Sequence, residues 1–236
     1  MSELRLHARL DEIPADAWDA LHDRRNPFVE HVFLAGLERE GCLRPRWGWT
    51  PRHAGLWRDG ELVAAAPGYL KSNSHGEFVF DHAWAAAYAR AGREYFPKWL
   101  LAVPYSPVTG PRLLARDAAD RALLAAALVE CARSEELSSV HVNFHSDSED
   151  AAFGADWMPR QDVQFHWHNH GWPDFDTFLA ALQPKKRRTC ARSATRWRAR
   201  VTASAPCTVT RPATTTWRRC TSSTAAPSAT TATTRR

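Results

Sequence analysis

His53-Ala-Gly-Leu-Trp-Arg58-Asp59-Gly60-Glu61-Leu62-Val-Ala-Ala-Ala-Pro67-Gly68-Tyr69-Leu70 carries the pattern on which the fold turns. Two apolar arms, residues 53–58 and 62–70, flank Asp59-Gly60, a pair that readily accepts the positive φ angles of a two-residue hairpin turn. The second arm is long enough for a central strand, and Gly68 within it marks a bulge or a close approach of a ligand. Outward from the hairpin, strand and helix patterns alternate. Residues 4–10 alternate apolar and polar side chains as a half-buried strand does, and residues 14–21 place Ala17, Trp18 and Leu21 on one helical face. Phe28, Val32, Phe33, Ala35 and Leu37 recur at helical spacing before Gly41. Downstream, the pattern predicts a short strand at 78–80, a helix at 83–91, a strand at 99–103 and a proline-punctuated loop at 104–112. A helix at 117–133 with Asp117 as its N-cap, strands at 138–144 and 163–169, and a helix at 174–182 follow. This order predicts an α/β (α+β) fold, a mixed sheet with an antiparallel part and helices packed on it.

The chain has 236 residues and a formal charge of +5, but the charge is not spread evenly. All 26 acidic residues lie at or before Asp176, whereas 13 of the 31 Lys and Arg lie from Lys185 onward, so residues 1–183 carry −8 and residues 184–236 carry +13. No apolar run reaches the roughly 20 residues that span a bilayer, and the first ten residues lack the basic-then-apolar order of a signal peptide. The chain therefore reads as cytoplasmic, without membrane insertion. Cys42 and Cys131 are too far apart for a CxxC motif and read as reduced, buried thiols.

From Pro184 to Arg236 there is no Asp, Glu, Leu, Ile, Phe, Tyr or Met, and 14 of the chain's 17 Thr gather there. Such a stretch has nothing with which to build a core. It reads as a disordered basic tail, as a nucleic-acid-binding arm, or as GC-rich DNA translated out of frame. Permitted codons for residues 190–201 regroup, one base earlier, as V-R-Q-E-R-D-K-V-A-R-S-G, whose mixed charges at helical spacing continue the run Lys185-Lys186-Arg187-Arg188. A single lost base near Thr189 accounts for the switch.

Four clusters place polar side chains where a core is expected. Lys71, His75, Glu77 and Asp81 follow the long arm and supply a base and a cation, the alternative being a loop of solvated charges with one capping aspartate. Tyr105, Ser106, Thr109 and Arg112 lie in the proline-punctuated loop, which could clamp an anion or serve as a structural turn. His141, Asn143 and His145 share one face of a strand, as do His166, His168 and His170. An H-x-H-x-H array can hold zinc or iron, but a histidine face lining a cleft accounts for the alternation without an ion, and no metal is expected.

Asn26-Pro27-Phe28, Gly48-Trp49-Thr-Pro51, Pro67-Gly-Tyr69-Leu-Lys71-Ser, His75-Gly-Glu77-Phe-Val-Phe-Asp81, Pro97-Lys98, Val108-Thr-Gly-Pro-Arg112, Ser138-Ser-Val-His141 and Gln164-Phe-His166-Trp-His-Asn169 follow one another in an order that resembles the FemAB-like "peptidoglycan biosynthesis/recognition" family. That family belongs to the GNAT, or acyl-CoA N-acyltransferase, superfamily. The resemblance implies a GNAT-like domain over residues 1–160 and the start of a second over 161–186, and composition makes residues 187–236 a disordered basic tail, the product of the frame change. It also implies transfer of an acyl or aminoacyl group to an amine, such as that of a peptidoglycan precursor, with acyl-CoA or aminoacyl-tRNA as donor and tRNA as a partner in the second case. No R/Q-x-x-G-x-G/A loop of the coenzyme A type occurs in residues 1–183, so the donor site lies in the lost half or the donor is not coenzyme A, and the shortened chain can be inactive. Glu77 or Asp81 is the expected general base, with His141 competing. Lys71, Tyr105, Arg112, His166 and Asn169 are then substrate-cleft residues. The rivals are a non-catalytic module that recognises a cell-wall precursor and, if the tail is genuine, a protein with a nucleic-acid-binding arm.

Overall fold

The computed structural model describes residues 2–161 and 163–203. The chain divides into two compact units, Met1–Gln161 and Asp162–Arg236. The first unit runs β1 (Ser2–His7), α1 (Ala15–Asp19), α2 (His31–Arg39), β2 (Trp49–Pro51), β3 (His53–Arg58), β4 (Glu61–Ala66), β5 (Gly68–Lys71), α3 (His82–Arg90), β6 (Lys98–Leu101), β7 (Leu114–Ala115), α4 (Ala118–Ser134) and β8 (Val140–Val142). One sheet has the order β1-β3-β4-β7 and is antiparallel throughout. The other has the order β2-β5-β6-β8, with β6 and β8 parallel and the remaining pairs antiparallel. The architecture is the mixed α/β one that the sequence predicts.

The hairpin forms as its turn residues require, with Asp59 and Gly60 at φ 51° and 86°. Its second arm does not run unbroken. Proline has no N–H to give to a ladder, and at Pro67 the chain leaves the first sheet and enters the second as β5. A Cβ at Gly68 would lie 2.3 Å from the Arg52 carbonyl oxygen and 2.6 Å from Trp99 Nε1. Trp99 Nε1 donates to that same carbonyl at 3.0 Å. The close approach at Gly68 is therefore made by the chain itself, not by a ligand.

Alternation along β4 feeds two cores. Ala64 and Ala66 pack with Trp99, Leu101 and the Leu124–Leu128 face of α4, while Ala65 points the other way, toward Leu10, Trp18, Leu34 and Leu114. Asp117 caps α4 by accepting the Asp120 N–H at 2.7 Å. Residues 78–80 form no strand, because Phe78 adopts the left-handed region at φ 59°.

In the second unit, residues 163–170 also form no strand; Asn169 Oδ1 instead accepts the Gly171 and Trp172 N–H groups at 3.0 Å each, closing a turn. α5 (Phe175–Ala181) follows, capped by Asp174, and α6 (Pro184–Ala203) comes after it. Composition alone pointed to no regular structure from residue 187. Ala, Lys and Arg are nevertheless strong helix formers, and they carry α6 without an apolar face. Residues 204–236 of the expected tail lie outside the described residues.

Candidate active site

Strand register assembles the site. Trp49 on β2 stands opposite Lys71 on β5, and Lys71 stands opposite Lys98 on β6. Residues directly opposite one another in a ladder share one face about 5 Å apart, so two ammonium groups are brought side by side in the interior. The segment after β5 supplies the counter-charges. Lys98 Nζ donates to Glu77 Oε2 at 2.8 Å and to Asp81 Oδ2 at 2.5 Å, and Tyr95 Oη donates to Asp81 Oδ2 at 2.8 Å. Lys71 Nζ donates to the His75 carbonyl at 3.1 Å, lies 3.7 Å from the centre of the Trp49 ring, and is 3.9 Å from Glu77 Oε1. That oxygen accepts no hydrogen bond among the described residues. Lys71 and Lys98 are 0% exposed, Glu77 3% and Asp81 1%. They are not a loop of solvated charges, and the Asp81 side chain does not cap α3.

Burial and neighbours push these groups apart. Burial raises the Glu77 carboxyl against the opposing pull of Lys98 and Lys71, which leaves it a stronger base than an ordinary glutamate. Burial would raise Asp81 too, but hydrogen bonds from Lys98, Ser74 and Tyr95 outweigh it and bring the carboxyl down to about 2. Burial lowers the Lys71 ammonium to about 8, although Glu77 attracts its charge. His141 on β8 is driven down to about 4, by burial first and then by Lys98. Its ring meets Tyr95 edge to face at 6.1 Å and its Nε2 bonds Ser139 Oγ at 2.9 Å, so it stands beside the cluster as a neutral imidazole.

The Asp81 value sets a pH dependence. A carboxyl at about 2 in the folded chain, against 3.8 ordinarily, contributes stability that is full above about pH 4 and is lost as pH falls toward 2. The contribution is about 2 kcal/mol. Urea unfolding at pH 5 and pH 2.5 should show this loss in the wild type and a correspondingly smaller one in Asp81→Asn.

The other expected residues lie elsewhere. Arg112 is wholly buried and its guanidinium is taken up by the carbonyls of Val108, Pro111 and Asn143, so it braces the 104–112 loop instead of facing a cleft. Tyr105, at φ 56°, donates to the Cys42 carbonyl at 3.2 Å and packs on Trp49 with ring centres 5.2 Å apart, which places it near Lys71. His166 and Asn169 belong to the second unit. His166 bonds Gln164 and stacks on His168 at 6.4 Å, and the Asn169 carbonyl oxygen is used in its own turn. Among the described residues, no group of three or more His, Cys, Asp or Glu could hold a metal ion, and no helix is long and apolar enough to cross a membrane.

Sequence reading did not assign Lys98, Tyr95 or Trp49 to the site, although Pro97-Lys98 and Gly48-Trp49 are among the motifs that carry the family resemblance. Lys98 gained its role only once β6 was placed beside β5.

A family model described as FemAB-like, peptidoglycan biosynthesis/recognition, matches residues 9–222. No curated protein matches the sequence. Among solved structures, the chain is similar to a ribosomal-protein-alanine N-acetyltransferase from Brucella melitensis biovar Abortus 2308, at 16% identity over 70% of this chain and 100% of that one, with a TM-score of 0.35.

Proposed function

The chain belongs to the FemAB-like family of peptidoglycan biosynthesis and recognition, and from that membership we propose that it transfers an acyl or aminoacyl group to an amine, with a peptidoglycan precursor as acceptor. The observation that carries this reading is the buried Lys71–Glu77–Lys98–Asp81 cluster, in which one carboxylate oxygen, Glu77 Oε1, accepts no hydrogen bond among the described residues. In this reading the acceptor nitrogen attacks the acyl carbon of a coenzyme A thioester or an aminoacyl-tRNA. The nitrogen–carbon bond forms, the bond from that carbon to sulfur or to the ribose oxygen breaks, and the proton leaving nitrogen goes to Glu77. Lys71, as the ammonium, returns a proton to the leaving group or steadies the oxyanion.

Asp81 is too weak a base for that task and serves, with Lys98, to hold Glu77 in place. His141 shapes the wall as a neutral ring, and Arg112 keeps its bracing role. Because the four charged side chains are almost fully covered, the substrate reaches Glu77 only when residues 72–80 move aside, a gating step of the kind active-site loops make. The domain division at 160, with a second acyltransferase-like domain beginning there, and the change of reading frame near Thr189 belong to the same proposal; the gene sequence across that codon is the check on the latter.

The burial itself favours a second reading, in which the cluster is a brace and the chain recognises a precursor without turnover. Transfer of label from acetyl-CoA or from aminoacyl-tRNA to the free amine of a precursor peptide, by the protein with its reading frame restored near Thr189, decides between them. The first reading expects catalytic turnover with one of the donors. Saturable precursor binding with no label transferred from either donor would leave the recognition module.

A further inference from the structure

Between α2 and β2 the chain makes one 3-10 turn, Pro45–Trp47, closed by Gly48 at φ 78°. The turn and the residue before it gather three exposed side chains. The guanidinium carbons of Arg44 and Arg46 lie 5.2 and 4.8 Å from the centre of the Trp47 ring, which is 44% exposed. Arg44 Nε donates to the Gly41 carbonyl at 2.8 Å, which fixes that fork, and neither of its terminal nitrogens donates a hydrogen bond to a described residue. Neither arginine pairs with a carboxylate among the described residues, whereas Arg5, Arg39 and Arg133, also exposed, each do. Both line an open groove of about 820 Å3 together with Trp47, Asn73, His75 and Tyr105. Glu40 is the groove's one carboxylate among the described residues.

The groove ends against the candidate site. His75 lines it, and the His75 carbonyl accepts both Lys71 Nζ and Trp49 Nε1, each at 3.1 Å. Gly76 packs so closely that a Cβ there would meet the Tyr105 ring at 2.6 Å. The wall between groove and buried lysine is therefore a single backbone turn. A guanidinium stacked on an indole keeps its N–H edge free, and that edge matches the oxygens of a phosphate two at a time.

We propose that this groove binds the phosphate or diphosphate portion of a substrate whose reacting end lies at Lys71 and Glu77. The assignment rests on the transfer reaction proposed above, and the donor and the acceptor are both sources of such a group. Arg44 and Arg46 grip the anion, Trp47 holds the two forks at a fixed spacing, and the His75-Gly76 turn is the hinge past which the acyl or amine end enters.

Calorimetric titration of the full chain with inorganic pyrophosphate tests this. Saturable binding is expected, weakened roughly tenfold or more in the Arg44→Ala/Arg46→Ala double variant and only partly restored by lysine at both positions, because a point charge replaces a fork. Arg25→Ala/Arg116→Ala, in a separate groove lined by Asn26 and Thr109, should bind as the wild type does. Near-UV circular dichroism establishes that each variant keeps its fold. Coenzyme A binding tighter than pyrophosphate assigns the groove to the donor, and a uridine-diphosphate-linked muramyl peptide binding tighter assigns it to the acceptor. Pyrophosphate bound equally well by the Arg44/Arg46 double variant overturns the proposal, since the ion is then held by other cations such as the run from Lys185. No saturable binding at millimolar pyrophosphate overturns it too. Glu77→Gln should bind pyrophosphate as the wild type does even if turnover stops, so the groove and the transfer reaction stand or fall separately.

Discussion

Replacing Lys98 with methionine is expected to lower the stability of the first unit by about 3–5 kcal/mol, the usual consequence of removing one partner from a buried ion pair. Lys98 is the hub of the cluster, since it touches both Glu77 and Asp81, and its loss leaves two buried carboxylates with Lys71 as the one remaining cation of the cluster. Methionine fills much of the same volume, so the effect reports on charge and not on a cavity. Denaturant midpoints measure it directly. The companion variant in which Asp81→Asn accompanies Lys98→Met should recover much of the loss, because Glu77 still pairs with Lys71 and no buried carboxylate is left in excess. A loss below about 1 kcal/mol for the single variant is the value for a solvated surface pair and would contradict the buried network.

Glu77→Gln is expected to reduce transfer by about 100- to 10,000-fold, the range over which a positioned general base acts. The fold should survive, because the amide oxygen can still accept from Lys98 and the side chain keeps its shape. Asp81→Asn offers the contrast. That carboxyl is already held at about 2, so it carries almost no proton-accepting capacity to lose at neutral pH. Its replacement should lower stability near neutral pH, flatten its fall in acid, and slow transfer less than Glu77→Gln does. Equal losses in the two variants would mean that the cluster acts only by holding the sheet end together.

The hairpin was legible from Asp59-Gly60 because local backbone chemistry decides a two-residue turn without reference to anything distant. Asp117 as the cap of α4 was legible for the same reason. Residues 62–70 read as one long arm although Pro67 interrupts them, and which sheet each half joins depends on pairing with β6 and β7, which no local pattern encodes. The candidate site divides in the same way. Lys71, Glu77 and Asp81 sit within eleven residues, and their chemistry stands out in the sequence. Lys98 and Tyr95 are brought in by strand register, and their roles exist only in three dimensions. Arg112 looked like an anion clamp because an arginine in a proline-rich loop is usually exposed. Its burial among carbonyls of Val108, Pro111 and Asn143 could not be inferred without knowing that β8 leads past that loop. The charge split at residue 183 identified a change of character in the chain, while the helix through Ala203 follows from propensities that a reading of core-forming residues passes over.

The pH profile of label transfer to a precursor amine, measured for wild type and Glu77→Gln side by side, bears most directly on the central claim. A base with a raised carboxyl value must lose its proton before it works. The wild-type rate should therefore climb through a pH above the ordinary glutamate range, and then fall near 8 as Lys71 gives up its charge. The variant should keep only a small rate with no acid limb. A Glu77→Gln profile that matches the wild type in height and shape would contradict the account.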